Sequence, residues 1–215
     1  PSPASITPAA AGVIDAGEGV RWCARRGQGM QALGGEKGAM AAWVADRATA
    51  EKHLVPGAVI ANVNHPRQVV VSGKTEVVAQ ANAKARAAGV EVTELRVSHG
   101  FHSPVFEQLN LDAEVDRITF AEGRVPVASC IADASYRDGS TAAGVFKRHA
   151  ISPVLWTDAL ARCKEAGAEV FLQVAAGGPL ISFVRGTLPG MPAVSLASKE
   201  DGDGGASLLE GLGQL

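Results

Sequence analysis

Between Gly38 and Val97 the hydrophobic period switches repeatedly between strand-like and helix-like, and the order of the switches leaves few topologies open. Gly38-Ala39-Met40-Ala41-Ala42-Trp43-Val44-Ala45 is an apolar run of strand length. Thr49 to Leu54 predicts a short helix closed by Pro56-Gly57. Ala58 to Asn62 and Gln68 to Val71 are two runs rich in β-branched residues, joined through Asn64-His65-Pro66-Arg67 as in a hairpin. Thr75 to Ala88 is an Ala-rich amphipathic helix stopped by Gly89, and Val90 to Val97 alternates apolar and polar. The order β-α-β-β-α-β is that of a ferredoxin-like split βαβ unit, predicted here as a subdomain inserted at residues 36–97.

The flanking segments predict a different layer. Residues 9 to 33 read as helical, with a break at Gly12, an N-cap at Asp15 and a stop at Gly34-Gly35. Beyond the insert, strands at Val125–Ile131, Glu169–Val174 and Ala193–Leu196 alternate with helices. Those helices are Ala142–His149, Trp156–Ala166, Pro179–Gly186 and Ser207–Leu212. Such alternation predicts an α/β fold whose parallel sheet is covered on both faces, with functional loops at the strand carboxyl ends. Residues 1–35 and 98–215 together form this body, and 36–97 the insert.

Charge and cysteine usage narrow the function. With 20 Lys and Arg against 22 Asp and Glu, the chain has no surplus of positive charge for phosphate backbones, which argues against nucleic acid as its main partner. No run of eighteen apolar residues exists for a membrane span, and the N-terminus lacks the basic and apolar regions of a signal peptide. Cys23, Cys130 and Cys163 are odd in number and far apart, without a C-x-x-C pair. A disulfide framework and a structural zinc site are therefore not expected, and a reducing cytoplasm is. The chain does not begin with Met and has three prolines in its first eight residues, so a fragment is expected.

The segment that carries chemistry is Val97-Ser98-His99-Gly100-Phe101-His102-Ser103-Pro104. A histidine in a glycine-containing loop between strand and helix can carry a proton near neutral pH. Taken alone, two loop histidines read more readily as local hydrogen-bonding groups.

The surrounding motifs add to this. The segment resembles the HAFHSP motif of acyltransferase domains of polyketide and fatty acid synthases, the malonyl-CoA:acyl-carrier-protein transacylase family. In order along the chain, Ala9 to Asp15 resembles the helix after that family's nucleophile elbow, and Arg25-Arg26-Gly27-Gln28-Gly29-Met30-Gln31 its RGxxMQ. Gly38 to Ala42 is similar to GAMAAV, and Ala61 to Gly73, with Asn64 and Gln68, to NxPxQxVxSG. Ser152 to Trp156 is similar to SPVRW, and Ser207 to Gly213 to LLEALG. The resemblance implies an α/β-hydrolase-like core with a ferredoxin-like subdomain. It also implies transfer of a malonyl-type extender unit from CoA to an acyl carrier protein through an acyl-serine intermediate. No cofactor is implied beyond the CoA substrate and the phosphopantetheine arm of the carrier. Neighbouring synthase domains are further implied partners.

Carried over by position, His102 matches the catalytic base, since an unassisted hydroxyl is a poor nucleophile. Arg26 matches the arginine that pairs with the extender unit's free carboxylate in two parallel hydrogen bonds. Phe101 stands where malonyl-selecting members carry Phe and methylmalonyl-selecting members carry Ser. His99, Met30, Asn64 and Gln68 fall at substrate-lining positions. His149 falls where many members place Gln, whose backbone carbonyl orients the catalytic histidine. His53 and His65 read as solvated surface residues.

Departures from the pattern matter too. The family's serine sits in GHSxG, roughly twenty-five residues before the clamp arginine, on a glycine-flanked elbow. Counting back from Arg26 reaches Pro1; no GHSxG exists in the sequence, and Ser2 and Ser5 lie among prolines. The serine is thus expected in a preceding segment or companion chain, and these residues alone should not turn over. A degenerate acyltransferase kept for structure or carrier docking is the alternative, and an unrelated α/β module a weaker third. Retention of His102, Arg26 and Phe101 together favours the active reading. Gly100 in place of Ala is expected to be mild, and Ala175-Ala176 in place of Gly-Pro to reshape a nearby loop.

Overall fold

The computed structural model describes residues 3–33, 38–131, 136, 139–176, 178–197 and 213. Helix α1 (Pro3–Ala10) turns through Gly12 into α2 (Ala16–Ala32), whose N-cap Asp15 accepts from the Glu18 amide at 3.1 Å. Then follow β1 (Ala39–Trp43), α3 (Arg47–His53), β2 (Val59–His65), β3 (Gln68–Gly73), α4 (Thr75–Ala87) and β4 (Val92–Glu94). A 3₁₀ turn at Pro104–Phe106 and α5 (Asp112–Val115) lead to α6 (Gly139–Arg148), β5 (Val154–Leu155) and α7 (Trp156–Glu165). The chain continues with β6 (Phe171–Ala176), α8 (Leu180–Thr187) and β7 (Ala193–Ala197).

Strands β4, β1, β3 and β2 lie in that order and pair antiparallel, and β5 joins β2 in parallel at the edge. Alternation of side chains across β1 and β3 sends Trp43, Val69 and Val71 to one face, where α4 supplies Val78, Ala81 and Ala85. Trp43 Nε1 donates to buried Asn82 at 2.8 Å, so the indole enters this core with its polar atom satisfied. On the other face Met40, Ala61 and Val70 meet Phe101. A separate core joins Trp22 of α2 to Val115, Val145 and Phe146.

Three expectations change. Val125–Ile131 forms no strand beyond an isolated bridge at Ala128. Pro126 lacks an amide proton, and the Ile131 amide donates to the Ser129 hydroxyl at 3.1 Å instead of to a ladder. The strand expected over Val90–Val97 stops at Glu94 because the Val97 amide folds back onto the Leu95 carbonyl at 3.0 Å. The broad parallel sheet is, among the described residues, the β6–β7 pair alone, with β5 claimed by β2. The predicted stop at Gly34-Gly35 and the helix at Ser207–Leu212 lie outside the described residues.

Candidate active site

His102 follows β4 on a tight loop and is the one non-glycine residue with positive φ among the described residues, at 56°. That region strains a side chain with a Cβ, so it persists only where surroundings over-determine it. Glycines supply the fit. A Cβ on Gly100 would stand 2.7 Å from the Gly73 carbonyl oxygen, and one on Gly38 (φ 75°) only 2.5 Å from it. Gly100 is therefore not a mild replacement: the loop lies directly on the end of β3. The Ser103 hydroxyl braces it further by donating to the Gly100 carbonyl at 2.6 Å.

The His102 ring is oriented from across the chain. Its Nδ1 lies 2.9 Å from the Ser152 carbonyl oxygen. A carbonyl can only accept, so Nδ1 carries the hydrogen and Nε2 keeps its lone pair. The backbone carbonyl of His149 faces the same ring. Both carbonyls act on the ring: the His149 carbonyl, where the resemblance put the orienting group, and the Ser152 carbonyl three residues on, which makes the stronger contact. Burial, against the opposing Ser152 hydrogen bond and aided by the Arg26 charge, holds the His102 imidazole below the usual histidine range.

Arg26 comes from the middle of α2, where Trp22, Arg26 and Met30 follow one another at four-residue spacing down the inner face. Trp22 and Met30 are buried apolar residues, so the guanidinium interrupts an apolar stripe. Its Nε is buried without a partner, and among the described residues no carboxylate pairs with it. Neighbouring Arg25 instead pairs with Glu114 at 3.3 Å. A buried arginine with an unmet donor has the charge and geometry to pair with an anion. Its charge acts on both His102 and His149, which brings the three groups together.

Phe101 is half-buried and stacks on Phe106 with centroids 5.8 Å apart and planes 11° apart. His99 completes the cluster at 5.8 Å from Phe101 and 5.7 Å from Phe106, its Nδ1 lying 2.9 Å from the Ser98 hydroxyl oxygen. Met30 packs into the same group beside Ala150. Asn64 and Gln68 fall elsewhere: they sit at the turn end of the β2–β3 hairpin, and neither hydrogen-bonds to His102 or Arg26 among the described residues. His65, at that turn, is half-buried rather than fully solvated; its ring faces Phe183 of α8 at 6.5 Å, and a Cβ on Gly186 would strike it. Ala175 and Ala176 end β6, beside Gly177, which lies outside the described residues.

One contact had no sequence signal. The Tyr136 hydroxyl and His149 Nε2 share a hydrogen bond of 2.8 Å within the core, thirteen residues apart. Burial, helped by the charges of Arg26 and His102, pushes the His149 imidazole down to about 3, so the ring is neutral. No His, Cys, Asp and Glu cluster suited to a metal ion occurs among the described residues, and no described helix is long and apolar enough to cross a membrane.

Comparison with known proteins places this arrangement in context. The family model of the acyl transferase domain matches residues 6–206. Mycoketide-CoA synthase of Mycobacterium tuberculosis is 30% identical over 87% of this chain, which spans 5% of that synthase. The acyltransferase domain from the second module of the salinomycin polyketide synthase superposes with a TM-score of 0.85 at 28% identity, over 98% of this chain and 51% of that one. A malonyl-transacylase of a type II polyketide synthase, solved with its acyl-carrier protein, superposes at 0.89 over 99% of this chain and 70% of that one. At 24% identity this last likeness concerns the fold.

Proposed function

Because the chain belongs to the acyl transferase domain family, we propose that it supplies the base, carboxylate clamp and pocket wall for moving a malonyl-type extender unit from CoA to an acyl carrier protein. The host would be a polyketide or fatty acid synthase. The observation that carries this reading is Arg26, whose unmet guanidinium donor sits in the same electrostatic neighbourhood as the His102 ring. A thioester of a dicarboxylic acid offers what that pair needs: a carboxylate for Arg26 and a carbonyl for attack under the control of His102.

The chemistry uses His102 Nε2 twice. It takes the serine hydroxyl proton as the oxygen bonds to the thioester carbonyl, then returns that proton to the departing CoA sulfur. The same ring next accepts the proton of the carrier's phosphopantetheine thiol as sulfur attacks the acyl-serine, and the serine recovers its proton. Neither step needs a cofactor. The sequence contains no G-H-S-x-G, and the reading takes the serine from a segment outside these residues. The alternative reading, a non-catalytic domain that docks a carrier protein, is separated from it by the assay below.

We also read residues 36–97 as a ferredoxin-like subdomain and the flanking 1–35 and 98–215 as an α/β-hydrolase-like body. The strand order β4-β1-β3-β2 with α3 and α4 as crossovers supports the first. Asn64 and Gln68 remain substrate-lining residues only if substrate extends to the hairpin turn.

The test is malonyl transfer by a polypeptide that carries both the serine and this chain. His102→Ala is expected to lower the self-acylation rate 10²- to 10⁴-fold, the usual contribution of a general base. Labelling by malonyl-CoA that is unaffected by His102→Ala would overturn the role. A complete polypeptide that binds holo carrier protein yet never labels would favour the docking reading.

A further inference from the structure

We infer that Tyr136, acting through His149, is a positioning residue for the His102 imidazole; the inference rests on the reading of His102 as the base. Both carbonyls that face the His102 ring come from one turn, residues 149–152, which closes the end of α6. Its amides bond back into the helix: His149 to the Phe146 carbonyl at 3.4 Å, Ile151 to Arg148 at 3.2 Å and Ser152 to Arg148 at 2.9 Å. Ile151 points largely outward, at 43% exposed, whereas the His149 side chain points inward at 4%. His149 therefore pins the turn to the core.

Two contacts hold that pin. The imidazole stacks on Phe146 with centroids 5.1 Å apart, which fixes its plane, and its Nε2 hydrogen-bonds the Tyr136 hydroxyl at 2.8 Å, which fixes its rotation. The phenol is itself held. The Ile131 amide donates to Ser129 Oγ, and the Ser129 side chain hydrogen-bonds the Tyr136 phenol. The chain Ile131–Ser129–Tyr136–His149 thus runs through the buried core and ends at the turn that aims the base. A hydrogen-bonded series of this kind constrains each member more than isolated pairs would. His102 needs such support because its backbone is held in the left-handed region.

Removing the Tyr136 hydroxyl leaves His149 Nε2 buried and unpaired, so the ring turns and both carbonyls shift from His102. Those carbonyls raise the His102 pKa, whereas burial and the Arg26 charge lower it. Slackening them moves the acid limb of the rate profile to lower pH while the rate itself falls.

The experiment uses the serine-bearing polypeptide and malonyl-CoA. Tyr136→Phe is expected to lower kcat by about ten- to a hundredfold, the scale of a sub-ångström to 1 Å misplacement, with KM for malonyl-CoA little changed. The acid limb should move to lower pH. On a His149→Ala background the same substitution should cost no more than about twofold, since the route is already cut. Ser129→Ala, one step further back and a smaller change, should act in the same direction and serves where Tyr136→Phe folds poorly. Full, additive costs of Tyr136→Phe and His149→Ala, or an unmoved acid limb, would overturn the inference. If wild type itself shows no acyl transfer, the functional reading fails instead. The positioning role is then decided by nitrogen NMR of the His102 ring, whose Nδ1–H hydrogen-bond signal must weaken in Tyr136→Phe.

Discussion

His102 and Ser152 are fifty residues apart in sequence, and the Nδ1 of one donates to the backbone carbonyl of the other across 2.9 Å. The contact leaves Nε2 as the ring nitrogen able to take up a proton. It also has a pH consequence. Because burial and Arg26 hold the His102 imidazole below the usual histidine range, the ring stays neutral as pH falls below about 6.5, and the acid limb of kcat/KM should lie beneath that value. Arg26→Ala, assayed with acetyl-CoA so that carboxylate binding plays no part, removes a lowering charge and should move the limb upward. A limb that moves downward would contradict the proximity of the two groups.

The glycine seam makes a second prediction. Gly100→Ala introduces a Cβ 2.7 Å from backbone, where nothing flexible can yield. Overpacking of this kind costs typically ~1–3 kcal/mol, so thermal unfolding should fall by several degrees and activity with it. Wild-type stability in Gly100→Ala would mean that the loop stands off β3.

His149 gives a third. Its folded pKa near 3 lies well below the unfolded value of 6.5, so between these limits the unfolded chain binds a proton that the folded one does not. The stability it contributes is complete above about 6.5 and is lost as pH falls toward 3, with a slope of up to ~1.4 kcal/mol per pH unit. His149→Gln keeps an acceptor for Tyr136 but cannot titrate. Urea unfolding of both proteins across this window should show the acid slope reduced in the variant, and equal slopes would count against a buried neutral ring.

The sheet beneath the loop can be tested through Asn82. Asn82→Ala leaves the Trp43 indole N–H buried and unpaired, which costs roughly 1–3 kcal/mol. Denaturant titration followed by tryptophan fluorescence reads this loss, and Asn82→Asp, which keeps an acceptor, should restore part of it.

Much of residues 38–97 was legible because its elements carry local signals: Gly89 stops α4, and β-branched runs flank the turn at Pro66-Arg67. His102, Arg26, Met30 and Phe101 were singled out through the family resemblance; Met30 and Phe101 share one apolar cluster, and the Arg26 charge acts on the His102 ring. Strand order and partners were not. Nothing in Val154-Leu155 announces a parallel edge on β2, because that pairing is decided by distant residues. Ser129 took an amide that a strand would have used, and Pro126 removed another. Tyr136 and the Ser152 carbonyl escaped notice because one is a lone buried phenol and the other is backbone, neither of which leaves a spacing to count. His65 looked solvated because its cover, Phe183 and Gly186, lies far along the chain.

The central claim is that one cleft holds the base and selects its acyl group by charge and shape. The direct measurement is competition among malonyl-, methylmalonyl- and acetyl-CoA for transfer by the serine-bearing polypeptide and two variants. Loss of a charge-assisted hydrogen-bonded pair, ~1.5–3 kcal/mol, should make Arg26→Ala lose about ten- to a hundredfold of the malonyl preference over acetyl while keeping the malonyl-to-methylmalonyl ratio. Phe101, its ring fixed by the stack on Phe106, should behave in the opposite sense. Phe101→Ser is expected to relax malonyl over methylmalonyl by about 5- to 150-fold and leave acetyl rejected. An Arg26→Ala protein that still discriminates against acetyl-CoA as wild type does would contradict the account.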